Sequence, residues 1–136
     1  MKYIKSCGFV VYKVINGINF YLIIKSLNDD YGFPKGHMEN NETEIQTAIR
    51  ELKEETNVEV KVIDGFRKQI EYKISSINDA IKVGIYYLGL CVNDEIIIQE
   101  KEVKEAYFTT YEKALELLTF KETKSILKCA QEFIRK

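Results

Sequence analysis

Short apolar runs alternate with polar turns from the start of the chain. Residues 7–14 and 18–25 are rich in Val, Ile, Phe and Tyr, with Asn16-Gly17 between them. β-Branched and aromatic side chains favour extended backbone, and Asn-Gly readily takes the positive φ angles of a two-residue turn, so a β-hairpin is predicted. Residues 26–41 are polar, contain Gly32, Pro34 and Gly36, and read as a long loop of the kind that usually carries function. From about Glu42 or Thr43 to Thr56 the period changes. Ile45, Ala48, Ile49 and Leu52 follow the i, i+3, i+4, i+7 spacing of one buried helix face. Asn41 is the predicted cap, with Glu44 three residues on completing a capping box, and Asn57 is the predicted stop because Asn tolerates left-handed backbone.

Strands are predicted at 58–63, 66–74 and 81–92, the second from the alternation of Ile70, Tyr72 and Ile74 with Gln69, Glu71 and Lys73. Residues 75–79 read as the turn that follows. A short strand near 106–109 leads into a helix over 111–118 with Thr110 as cap, and a last helix over 122–135 puts Ile126, Leu127, Ala130, Phe133 and Ile134 on one side. This mixture predicts an α/β fold, a central mixed sheet sandwiched between helices. With no repeat, linker or low-complexity stretch, residues 1–136 are expected to form a single domain.

Composition removes several classes of function. Hydrophobic residues make up 46% and charged residues 30%, and the net charge is −1. There is no global pull towards nucleic acid or membrane, so any anion site must be assembled locally. Cys7, Cys91 and Cys129 form no Cys-x-x-Cys pair and are expected to act as apolar residues of a reducing compartment. No apolar run approaches a membrane span and no small-residue cleavage site follows the N-terminus, so the expectation is a cytoplasmic protein. No coiled-coil seam is visible in the helices, and a monomer is expected.

The predicted first helix carries the chemistry. Glu51 and Glu55 lie one turn apart on a flank of the apolar stripe, and Glu54 points away from it, beside Arg50. Like charges at i, i+4 cost about 0.2–0.5 kcal/mol. A hard cation reverses that cost: Mg²⁺ takes oxygen ligands, typically one or two carboxylates plus substrate phosphates. Glu42 and the backbone carbonyl around Lys35-Gly36 complete such a site from the loop side. A bare charge cluster also reads as a solvated face balanced by Arg50 and Lys53, and the spacing separates these two readings.

Gly36, five residues, Glu42, seven residues, then Arg50-Glu51-Leu52-Lys53-Glu54-Glu55-Thr56-Asn57-Val58 resembles the Nudix hydrolase signature. One position departs from it: Asn57 stands where the signature has a second glycine. The resemblance implies a Nudix α/β/α sandwich that hydrolyses a nucleoside diphosphate linked to another moiety, by water attack on phosphorus with Mg²⁺ or Mn²⁺. It implies that Glu51 and Glu55 ligate the metal, that Glu54 ligates a further ion directly or through water, and that Glu42 and Arg50 brace loop and helix.

Further stretches resemble the asymmetrical diadenosine tetraphosphate hydrolases over nearly the full length. They are Phe33-Pro34-Lys35-Gly36-His37-Met38-Glu39, Gly65 through Tyr72, Lys82 through Leu88, Glu102 through Phe108, Phe120-Lys121-Glu122 and Cys7-Gly8. A polyphosphate needs specific cations here, and Lys35, His37, Lys82 and the Arg67-Lys68 pair are the candidates. Tyr72 is a candidate phosphate donor, and Tyr87 or Phe120 a candidate stacking face for adenine. Lys35 and Lys82 also read as ordinary surface lysines, and Tyr72, Tyr87 and Phe120 as core. Ungapped alignment puts Glu102 at the subfamily's extra glutamate, as a further metal ligand or the base for the attacking water, with Glu100 and Glu105 as alternates. The reading is Mg²⁺-dependent cleavage of diadenosine tetraphosphate to ATP and AMP. A pyrophosphohydrolase acting on the 5′-triphosphate end of RNA, a house-cleaning nucleoside triphosphatase and a nucleotide-binding module without turnover are the alternatives. RNA as partner would call for a basic track that a net charge of −1 does not supply, and the intact glutamates argue against a silent module.

Overall fold

The computed structural model describes residues 2–73 and 80–135. The elements run β1 (Lys2–Ile15), β2 (Ile18–Ser26), β3 (Tyr31–Gly32), β4 (Lys35–His37), α1 (Glu44–Thr56), β5 (Glu59–Lys73), β6 (Ala80–Asn93), β7 (Val103–Thr110), α2 (Tyr111–Leu117) and α3 (Lys121–Arg135). The mixed sheet has the order β3-β2-β1-β6-β5, with β4 added to β1 and β7 to β2. The β1–β6 pair is parallel and the other pairs are antiparallel.

Alternation along the strands divides the apolar residues between two layers. Cys7, Phe9 and Val11 of β1 pack with Leu22, Val83, Ile85 and with Ala48 and Leu52 of α1. Val10 and Tyr12 face the other way, with Tyr21, Ile23, Tyr86 and Leu88, against Ala114, Leu118 and the α3 residues Ile126, Leu127 and Ala130. The helices therefore cover both faces of the sheet, as the sequence predicts. The hairpin forms with Ile15 opposite Ile18, and Asn16 and Gly17 both take positive φ, 52° and 76°.

Five local expectations are corrected. The long loop over 26–41 contains β3 and β4, because residues 35–37 pair with residues 6–8 of β1. That approach requires Gly8, where a Cβ would overlap the Pro34 carbonyl. The cap of α1 is Thr43, not Asn41, which turns the chain at φ 70°. Gln46, not Glu44, closes the capping box: Gln46 N donates to Thr43 Oγ1 at 3.2 Å and Thr43 N to Gln46 Oε1 at 2.9 Å. Ile49 is 47% exposed, whereas Thr47 is buried. Thr47 tolerates burial because its hydroxyl donates to Glu42 Oε1 at 2.8 Å. The two strands predicted at 58–63 and 66–74 are one strand, β5, whose register shifts between Val62 and Arg67 around Gly65 at φ 91°. Ile74 and the turn at 75–79 lie outside the described residues.

The remaining boundaries agree within a residue or a few, with Thr110 capping α2 as predicted. Among the described residues the cysteines are free and no helix is long and apolar enough to cross a membrane.

Asn57 ends α1 in left-handed backbone, φ 67°, with its N–H donating to Lys53 O. Its side-chain Nδ2 also donates to Glu95 O at 2.8 Å, a bond that glycine would not make. In urea unfolding, Asn57→Gly should change stability by less than about 1 kcal/mol, since relief of backbone strain offsets the lost bond. Asn57→Val should cost at least about 1–2 kcal/mol, because a β-branched residue resists this conformation.

Candidate active site

Arg50 organises the site from the middle of α1. Its Nε and Nη2 donate to the two oxygens of Glu42 at 2.6 and 3.0 Å, and Nη2 also donates to His37 O at 3.0 Å. Its Nη1 donates to Glu54 at 2.9 Å and reaches Glu51 at 3.3 Å. One guanidinium therefore ties the loop, β4 and the glutamate helix together. The Arg50 bond, helped by Glu39 N–H, holds the Glu42 carboxyl down to about 2. Glu42 and Arg50 thus join the loop to α1.

Gly36 serves a steric purpose. A Cβ there would overlap the Glu51 carboxylate, so the bare backbone lets that carboxylate lie against β4. One turn on, Glu55 is only 5% exposed, and its Oε1 accepts from Lys35 N at 3.1 Å. Burial first, then the neighbouring Glu51 charge, pushes the Glu55 carboxyl up to about 8. Burial likewise raises Glu51.

Glu102 arrives from the connection between β6 and β7. That segment docks on the C-terminal end of α1, where Gln99 N donates to Glu55 O at 3.1 Å and Ile97 N to Thr56 O at 3.0 Å. These bonds satisfy carbonyls that a helix end leaves without partners. Glu102 N and Val103 N both donate back to Gln99 O, which turns the chain at the site. As a result Glu51, Glu55 and Glu102 each offer an oxygen, all within 4.8 Å of one another. Glu100 is exposed and Glu105 lies 3.8 Å from Lys25; neither joins this trio. Glu54 is outside it too, its carboxylate held by Arg50.

Three hard oxygen donors converge, two of them desolvated, with no sulfur or imidazole among them. This donor set fits a divalent cation of the Mg²⁺ or Mn²⁺ kind, and Glu51, Glu55 and Glu102 are the residues that would hold it.

Two cavities of about 280 and 370 Å³ meet at Lys35, Lys82 and Glu102. The first adds Glu55 and runs out to Tyr31 and Phe120; the second adds Gly36, His37 and Glu51. Burial, then the nearby Lys82 charge, lowers the Lys35 ammonium below the usual lysine range. Lys35, His37, Lys82 and Phe120 are thus brought to the carboxylates.

Tyr87 and Arg67 are not. The Tyr87 hydroxyl donates to Glu44 at 2.9 Å, and the Arg67 guanidinium donates to the two Glu44 oxygens at 2.9 and 3.1 Å. With Lys5 at 2.6 Å, Glu44 fastens the first turn of α1 to β1, β5 and β6, and both side chains line a separate cavity beside Ile45 and Val62. Lys68 stands over the Phe66 ring instead. Tyr72 pairs with Lys82 through the β5–β6 ladder, and its side chain lies outside the described residues.

Sequence reasoning missed Tyr31. Its N–H donates to Thr119 Oγ1 at 2.8 Å and its carbonyl accepts from Thr119 N at 3.2 Å, which sets β3 beside Phe120 across the cavity. The one available signal was an aromatic residue inside a polar loop.

A carboxyl pushed up to about 8 binds a proton in the folded state that the unfolded chain has already released. Its contribution to stability is therefore greatest at low pH and is lost as pH rises towards 8. In thermal melts of metal-free protein, Tm should fall between about pH 5 and pH 8 more steeply for the wild type than for Glu55→Gln. Mg²⁺ should restore the wild type most at the upper end of that range. Equal slopes would show that Glu55 is not the group responsible.

The NUDIX domain family matches residues 8–129. The pig and mouse proteins named bis(5′-nucleosyl)-tetraphosphatase (asymmetrical) are each 27% identical over 143 aligned residues, spanning 96% of this chain and 95% of theirs. The Caenorhabditis elegans Ap4A hydrolase in a binary complex superposes with a TM-score of 0.87 at 25% identity, over 97% of this chain and 98% of that one. The NUDIX domain of Shewanella oneidensis NrtR, complexed with ADP ribose, shares the fold with a TM-score of 0.77 at 16% identity, over 98% of this chain and 90% of its own. Glutamate helix, bracing arginine and family match agree, and the chain belongs to the Nudix family as a hydrolase.

Proposed function

We propose that this hydrolase cleaves dinucleoside tetraphosphates asymmetrically, taking diadenosine tetraphosphate and water to ATP and AMP. The observation that carries the reading is the Glu51–Glu55–Glu102 trio, of which Glu55 and Glu102 line a cavity shared with Lys35, Lys82, Phe120 and Tyr31. Full-length likeness to the tetraphosphatases supports the same substrate class.

A bound Mg²⁺ or Mn²⁺ supplies neutralisation of phosphate charge and a lowered pKa for the attacking water. Lys35 and Lys82 hold the phosphate oxygens, and His37 lines the neighbouring opening. Glu102 takes the proton as the water oxygen bonds to phosphorus. The bridging P–O bond breaks and its electron pair leaves with the departing phosphate. Glu54, exposed and paired to Arg50, is the ligand for a further ion. Phe120 and Tyr31 offer aromatic faces to the base, a contact worth about 1–3 kcal/mol.

Purified protein with Mg²⁺ and diadenosine tetraphosphate should yield ATP and AMP, and chelator should stop the reaction. Pyrophosphate release from 5′-triphosphorylated RNA, with the dinucleotide untouched, would replace this reading with RNA 5′-end processing. Glu102→Gln should lower kcat at least about 100-fold with little change in KM. Glu51→Gln and Glu55→Gln should each abolish measurable turnover while the circular dichroism spectrum stays native. Near-normal rates in either would remove the metal assignment.

A further inference from the structure

Two adjacent aspartates at the turn between β2 and β3 stand in different surroundings. Asp29, at φ 67°, accepts from Lys104 at 2.7 Å and has Lys25 at 3.8 Å, so its carboxylate is committed to the protein. The Asp30 carboxylate has no hydrogen-bond or ion-pair partner among the described residues, and Asp30 lines the cavity that holds Tyr31 and Phe120. Its backbone is fixed on both sides: Ser26 N donates to Asp30 O at 2.8 Å, and Asp30 N donates to Ser26 Oγ at 3.3 Å. Lys35, which lines the same cavity, feels the Asp30 charge.

The cavity is chemically mixed. Its lining brings the charged Glu55, Glu102, Lys35 and Lys82 together with the aromatic Tyr31 and Phe120 and with Asp30. A polyphosphate held by the lysines beside the glutamates delivers its nucleoside to the aromatic residues. There the base presents its hydrogen-bonding edge to the Asp30 carboxylate, which only accepts. Guanine offers N1–H and N2–H side by side, a matched pair of donors for two carboxylate oxygens. Adenine offers one N6–H beside the N1 lone pair, which the carboxylate repels. We infer that Asp30 makes this cavity a guanine-preferring base site, so that guanine-bearing dinucleoside tetraphosphates are turned over faster than diadenosine tetraphosphate. This rests on the cavity being the dinucleotide site proposed above and adds the identity of the favoured base.

The test compares kcat/KM for diadenosine and diguanosine tetraphosphate in the wild type and in Asp30→Asn. Asn keeps the size of the Asp30 side chain, and the Tm of the variant, read beside the wild type, checks that the fold is retained. The wild type should favour the guanine substrate by about tenfold, within the discrimination of a good bidentate contact. In Asp30→Asn that preference should shrink to about twofold or less, with kcat/KM falling on the guanine substrate and rising on the adenine one. A wild type that favours adenine, or a preference unchanged by Asp30→Asn, would overturn the inference and leave the proposed reaction standing. Turnover of neither substrate would overturn the dinucleotide reading, and the inference with it.

Discussion

The site depends on one unfavourable arrangement, the burial of carboxylates one helical turn apart with a third brought against them. Glu55 is buried, Glu51 lies against the bare backbone of Gly36, and Glu102 closes the group within 4.8 Å. Charges removed from water at this separation repel strongly, and Glu55 responds by holding a proton up to about pH 8. Nothing in core packing asks for this, since apolar side chains would fill the same space at lower cost. It makes sense as a cation site, where each repulsion becomes part of the binding energy.

The structure around it keeps these charges in place by committing others elsewhere. Arg50 is shared among Glu42, Glu54, Glu51 and the His37 carbonyl, which fixes α1 against β4. Glu44 binds Arg67, Tyr87 and Lys5, which fixes the first turn of α1 to three strands. The last carbonyls of α1 accept from residues 97 and 99, so the end of the glutamate helix also positions Glu102. The signature's departure falls at this junction. Asn57 reaches left-handed backbone as glycine would, and it adds a bond to Glu95 of the segment that leads to Glu102.

Elements governed by local chemistry were legible in the sequence. The hairpin turn, the period of α1, its stop at Asn57 and the Thr110 cap each follow from residues close in sequence. Glu102 was reached by counting along a resemblance, and the structure shows the backbone bonds that deliver it. What failed depended on contacts between distant segments. Asn41 and Thr43 are both able to cap a helix, and Thr47, whose hydroxyl bonds Glu42, lies inward while Ile49 lies outward. Tyr87 and Arg67 looked available for substrate because no pattern along the chain announces that Glu44 engages both. Tyr31 was overlooked because its place beside Phe120 depends on hydrogen bonds to Thr119, far along the sequence.

The central claim is that Glu51, Glu55 and Glu102 form one cation site. Crystals grown with Mn²⁺ and measured at its absorption edge test this most directly, because the anomalous signal locates the ion without reference to activity. The account predicts a peak within bonding distance of all three carboxylates, about 2.0–2.3 Å from the nearest oxygens. Manganese bound only at Glu54 or elsewhere, with the trio lacking a peak at saturating concentration, would contradict it.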